Sequence, residues 1–175
     1  MLPMFNIIIL LQLLSSCSQK AEPETYLIPA SYAGKVNILL NEKNGVAKKY
    51  EGERRVYEIP ADGILVSQFK VNDGFIDREY YSVDAKGKRT RLEVFKYKHR
   101  EDGSIEWIVK DKKEKGVFND GISGQYSSTA SSRAVSYQEF TVSNYATLDS
   151  FFTKQYQTSF DARLEKITGL NLISK

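Results

Sequence analysis

Lys88–Lys98 reads KRTRLEVFKYK and, after His99-Arg100-Glu101-Asp102-Gly103, Ser104–Lys110 reads SIEWIVK. In the second segment Ile105, Trp107 and Val109 fall on every other residue, the two-residue period of a strand with one buried face. Asp-Gly between two such segments is turn chemistry, so the stretch predicts a β-hairpin, the clearest in the chain. The first segment changes phase midway: Leu92 and Val94 share one parity, Phe95 and Tyr97 the other. A β-bulge at the slip keeps both sets on one core, and the alternative is a strand covered on both faces. Val135 and Tyr137 giving way to Phe140 and Val142 poses the same choice.

Outward from there the period of two continues. Val36, Ile38 and Leu40 alternate before Asn44-Gly45, a dipeptide suited to the positive φ angles of a tight turn. Tyr57 and Ile59 precede Pro60-Ala61-Asp62-Gly63, Ile64–Val71 runs into Asn72-Asp73-Gly74, and Glu79–Val83 meets the turn Asp84-Ala85-Lys86-Gly87. Gly121–Arg133 is rich in serine and glycine, which reads as a mobile loop or a plain linker. After Asn144 the period becomes helical: Leu148, Phe151, Phe152, Tyr156, Phe160, Leu164 and Ile167 form a stripe, with Thr147 as the expected cap and Gly169 as the stop. The polar face of that helix mixes Asp149, Lys154, Asp161, Arg163, Glu165 and Lys166, which favours packing on a sheet over lying on a membrane or a partner. The fold class expected is mainly β: an antiparallel β-sandwich of about seven or eight strands over residues 25–143, with one amphipathic α-helix within 144–175 packed on it.

Residues 1–16 carry no charged side chain, and Ile7–Leu14 is apolar apart from Gln12, the length of a signal-peptide core. A membrane span needs about 20 such residues, so this segment is read as targeting. Leu14-Ser15-Ser16-Cys17 resembles a lipobox, the processing site of bacterial lipoproteins, and Cys17 is the only cysteine in the chain. The resemblance implies cleavage before Cys17 and acylation of its thiol, which anchors the chain to a membrane and leaves no disulfide or thiolate chemistry. An ordinary cleaved signal and an uncleaved anchor are the alternatives, since no Lys or Arg precedes the apolar run. Residues 17–24 read as a tether, and Ser18 fits outer-membrane sorting under the enteric lipoprotein rule.

Twenty-five bases against 22 acids give a formal charge of +3, with the signs interleaved, which describes a solvated surface and no nucleic-acid partner. His99 is the only histidine and sits in a basic turn, too little for a zinc site or a triad, so no metal and no cofactor are expected. Asp73, Asp77, Asp84 and Asp102 lie at or near turns, where aspartate bonds its own backbone; no spacing picks out a catalytic pair. The most suggestive surface is Lys96, Tyr97, Lys98 and Arg100, where an aromatic beside bases can hold sugars or anionic polymers; lysines along a sheet edge also serve to prevent aggregation.

Tyr26-Leu27-Ile28-Pro29, Tyr32-Ala33-Gly34-Lys35-Val36, Arg55-Val56-Tyr57-Glu58-Ile59-Pro60 and Gly63-Ile64-Leu65 together resemble a family of uncharacterised lipoproteins from Gram-negative bacteria. The strand order from Gly34 onward is similar to transthyretin-like and immunoglobulin-like sandwiches. Neither resemblance implies an activity or transfers a functional residue. The expectation is therefore a membrane-anchored envelope lipoprotein, acting as a non-catalytic domain that binds a glycan or a protein. A glycan-acting hydrolase with paired carboxylates and a protein-docking lipoprotein, engaging its partner by the helix or the Ser/Gly loop, are the alternatives.

Overall fold

The computed structural model describes residues 21–128 and 131–170. Cys17, the signal segment and the first half of the tether lie outside the described residues. The packed chain begins earlier than Thr25: Ala21 is buried and the first strand, β1, spans Glu24–Pro29.

Eleven strands follow in the described residues: β2 (Gly34–Leu40), β3 (Lys49–Glu51), β4 (Arg54–Glu58), β5 (Ile64–Val66), β6 (Arg78–Val83), β7 (Arg89–Arg91), β8 (Glu93–Val94), β9 (Lys96–His99), β10 (Ile105–Ile108), β11 (Lys115–Ser128) and β12 (Ser131–Asn144). One sheet has the order β3-β4-β1-β6-β7, the other β5-β2-β12-β11-β8, and β9-β10 form a separate hairpin. The sandwich expected from sequence is present, with more strands and mixed directions: β1 runs parallel to both β4 and β6, as do β2 to β5 and β8 to β11.

The parallel register decides the core. Tyr26 stands level with Tyr57 on one side and Tyr80 on the other, and the three rings stack at 5.1 and 4.6 Å. From the opposing sheet Phe140 meets Tyr26 and Tyr80 edge-on at 5.2 and 5.0 Å, an arrangement that matches ring edge to ring face. Val36, Ile38, Leu40, Val117 and Val142 complete this layer.

The other face of the second sheet is covered by α1 (Lys154–Thr168) through Leu39, Ile64, Val135, Phe160, Leu164 and Leu170. This resolves the phase change in β12: its pairing with β2 runs unbroken from Ser136 to Val142, so Phe140 and Val142 face one layer while Val135 and Tyr137 face the other. The change in Lys88–Lys98 has a different origin. The single long strand expected there is three short ones, in the first sheet, the second sheet and the hairpin. Leu92 marks the first crossing, donating its N–H to Tyr80 O at 2.8 Å, and Phe95 the second, donating to Val117 O at 2.9 Å.

Gly121–Arg133 is corrected from loop to strand. Its described residues are the distal halves of β11 and β12, where Tyr126 stacks on Tyr137 at 4.2 Å and Tyr137 lies across Gly124. Ser123, Gln125 and Ser127 are exposed, so the local composition reads as loop. The helix is also reassigned at its start. Leu148–Phe152 is a 3-10 turn, and Thr153, not Thr147, caps α1 by accepting from the Tyr156 N–H at 3.3 Å. Gly169 ends it at φ 67°, as expected. Phe160 and Leu164 are buried, Leu148 packs with Phe95 and Phe118 beneath the hairpin, and Phe152 and Ile167 are exposed.

Candidate functional site

Two residues before each of the three stacked tyrosines stands a charged residue: Glu24 before Tyr26, Arg55 before Tyr57, Arg78 before Tyr80. The strand period puts each charge on the same inward face as its tyrosine, and the parallel register aligns Glu24 with both arginines. A charged row therefore lies beside the aromatic row, at the end of the sandwich where the chain enters. Glu24 is fully buried.

Its carboxylate is saturated. The Tyr26 hydroxyl donates to Oε2, Tyr57 OH donates to Oε1 at 3.4 Å, Asn72 Nδ2 donates to Oε1 at 2.9 Å, and Arg78 Nε lies 3.4 Å from Oε2. Arg55 turns the other way, to the Glu22 carboxylate (Nε to Oε2 2.7 Å) and Lys70 O (2.7 Å), with its guanidinium over the Phe69 ring. The Arg55 guanidinium holds the Glu22 carboxyl below its ordinary range.

The second acid comes from a bulge. Between Phe118 and Ile122 of β11 three residues oppose one on β12, and Asn119 (φ 55°) and Gly121 (φ 83°) take the left-handed conformations that such an insertion needs. Asp120 at its centre accepts from the Tyr80 hydroxyl and lies 3.9 Å from Arg78. Burial first, then the neighbouring carboxylates, push the Tyr26 and Tyr80 phenols well above their ordinary range.

Above this network opens a cleft of about 650 Å³ between the 71–76 loop and the distal halves of β11 and β12. Asn72, Asp73, Arg78, Gln125, Ser136 and Gln138 line it. Gln138 reaches down to 3.2 Å from the Tyr26 hydroxyl, and Gln125 donates to Ser136 Oγ at 3.4 Å. Amides, hydroxyls, the Arg78 guanidinium and the Asp73 carboxylate at the surface, over a Glu24 whose two oxygens are already engaged, suit hydrogen-bonded binding. The Glu24 carboxylate, fully buried and engaged at both oxygens, is not open to take a proton from a substrate.

The residues singled out from sequence lie elsewhere. Lys96, Lys98 and Arg100 fall on one face of the β9-β10 hairpin and Tyr97 on the other, so they do not form a joint platform. Lys98 and Arg100 engage Glu106 at 3.4 and 3.1 Å, while Tyr97 meets Trp107 and His99 edge-on. Arg89 makes a two-pronged pair with Glu51. Among the turn aspartates, Asp84 accepts from the N–H of Lys86 and of Lys88, Asp102 accepts from Ser104 N–H, and Asp77 pairs with Arg54. These three serve the backbone or an ion pair, and only Asp73 borders the cleft. Among the described residues no three His, Cys, Asp or Glu side chains gather as a metal would need, and no helix is long and apolar enough to cross a membrane.

Residues 20–151 match the profile of a family of unknown function (DUF6843). No curated protein matches the chain. Among solved structures, the 2.75 Å crystal structure of a proposed lipoprotein from Bacillus anthracis is similar with a TM-score of 0.54 at 17% identity, covering 83% of this chain and 95% of that one. At that identity the likeness is one of fold.

Proposed function

The chain belongs to the DUF6843 family of unknown function, and from that premise we propose a lipid-anchored protein of the cell envelope that holds an envelope glycan, without turning it over, in the cleft above Glu24. The anchor reading rests on the Leu14-Ser15-Ser16-Cys17 motif after an apolar leader, and the proposed lipoprotein of the same fold supports it. Acylation of Cys17 would hold the domain on its membrane, and Ser18 points to the outer one.

One observation carries the binding reading: the cleft presents mainly amide and hydroxyl groups, together with Arg78 and Asp73, while Glu24 beneath it is spent on Tyr26, Tyr57, Asn72 and Arg78. A polyhydroxylated ligand exchanges water for such groups at little desolvation cost. The test is titration of soluble envelope glycan fragments into the full chain in detergent. Gln125→Ala is expected to weaken binding about tenfold, the worth of one hydrogen bond. Glycan cleavage by the wild-type chain, or affinity untouched by Gln125→Ala and Gln138→Ala together, would end this reading. Palmitate-analogue labelling of the native chain against Cys17→Ala checks the anchor separately, and fractionation of the same cells reads which membrane carries it.

A further inference from the structure

Phe75 is fully exposed, at 101% of its reference area, the most exposed large apolar side chain of the described residues. It stands on the loop between β5 and β6, and the same loop grips the incoming chain. Asn72 accepts from Glu22 N–H at 3.1 Å and donates to Glu22 O at 2.8 Å. Phe75 borders one recess with Ala21, Pro23 and the half-exposed Tyr50. Three acids also line it. Two are matched, Glu22 by Arg55 and Asp77 by Arg54, leaving Glu53. The patch is apolar and nearly neutral in balance, so attraction to anionic headgroups is not what would seat it.

Its position relative to the anchor is what matters. Ala21 is four residues on from Cys17, so even fully extended that stretch reaches about 14 Å. If Cys17 carries acyl chains, Ala21 stays within that distance of the headgroup layer, and whatever shares its recess stays at the same level. We propose that Phe75, with Tyr50 beside it, inserts into the interface of the bilayer that holds the acyl anchor, fixing which end of the domain faces the membrane. This rests on the lipid-anchor reading given above. Aromatic side chains favour that interfacial layer, and an exposed phenylalanine held beside it gains about tenfold to a hundredfold in partitioning by leaving water.

Because the acyl chains alone secure flotation, the test reads position. In the acylated full chain Cys17 is blocked, so Phe75→Cys and Lys86→Cys each offer one thiol for an environment-sensitive fluorophore. Lys86 lies in the turn after β6, at the far end of the strand that starts beside the recess. The proteins are placed in phosphatidylcholine vesicles with and without nitroxide-labelled lipid. The expected result is a blue shift and strong quenching at position 75 with little of either at position 86. Chains that float while position 75 stays as unquenched as position 86 overturn the proposal alone. So does a shift at 75 that follows protein concentration in detergent, which means a second copy covers the residue. A native chain that does not float, or that takes a maleimide on Cys17, overturns the anchor reading and this proposal with it.

Discussion

Glu24 has no exposed surface and four donors, and those donors come from β1, β4, β6 and the loop before β6. One carboxylate thus ties together the three central strands of the first sheet. Glu24→Ala leaves two phenols, an amide and a guanidinium without their acceptor and is expected to cost about 3 kcal/mol, since orphaned buried polar groups lose their full desolvation penalty. Urea unfolding of the chain measures it, and a loss under about 1 kcal/mol would mean that water replaces the carboxylate freely. Glu24→Gln keeps one acceptor and should cost less. The local half of this site was legible: Glu24-Thr25-Tyr26, Arg55-Val56-Tyr57 and Arg78-Glu79-Tyr80 repeat a charge two residues before a tyrosine, which the strand period places on one face. What brings the three together is lateral register between strands some thirty and fifty residues apart, and no local pattern encodes that.

At the scale of elements, the β9-β10 hairpin needed only its alternation and its Asp-Gly turn, and both were visible. The phase slips were visible too, but one pattern had two causes. In β12 a continuous strand is covered on both faces, while in Lys88–Lys98 the chain crosses between sheets at Leu92 and Phe95. The bulge expected at those slips stands instead in β11, hidden by Asn119-Asp120-Gly121, which reads as a plain turn. The Ser/Gly-rich hairpin end was misread because its stabilising pair, Tyr126 on Tyr137, joins residues on opposite strands. For α1 the decisive contact is Phe160, fully buried against Leu39 and Val135 beneath the helix. Phe160→Ala is expected to cost about 3–5 kcal/mol by removing an aromatic from a filled site. Amide exchange would show it as lost protection across 154–168, and protection kept there at wild-type level would mean the helix is held by other contacts.

For the whole molecule, the aromatic core sets the alkaline limit. Tyr26, Tyr57 and Tyr80 are buried and held above the ordinary phenol pKa of 10.0, chiefly by burial. A raised folded pKa means that the unfolded chain gives up these protons first, so their contribution is intact below about pH 10 and falls as pH climbs beyond it. The unfolding midpoint should therefore decline above about pH 10, with part of the tyrosinate absorbance appearing only as structure is lost. Complete phenol ionisation in a chain with unchanged circular dichroism would contradict it.

The placing of β1 has a mechanical side. It is the middle strand of its sheet, it lies parallel to both neighbours, and the N-terminal segment joins it at Glu24. Tension applied through that segment against the body of the domain pulls along the strand, loading the ladders on either side in shear instead of opening them one bond after another. A hairpin end pulled the same way would unzip; this attachment has to slide as a unit before it yields.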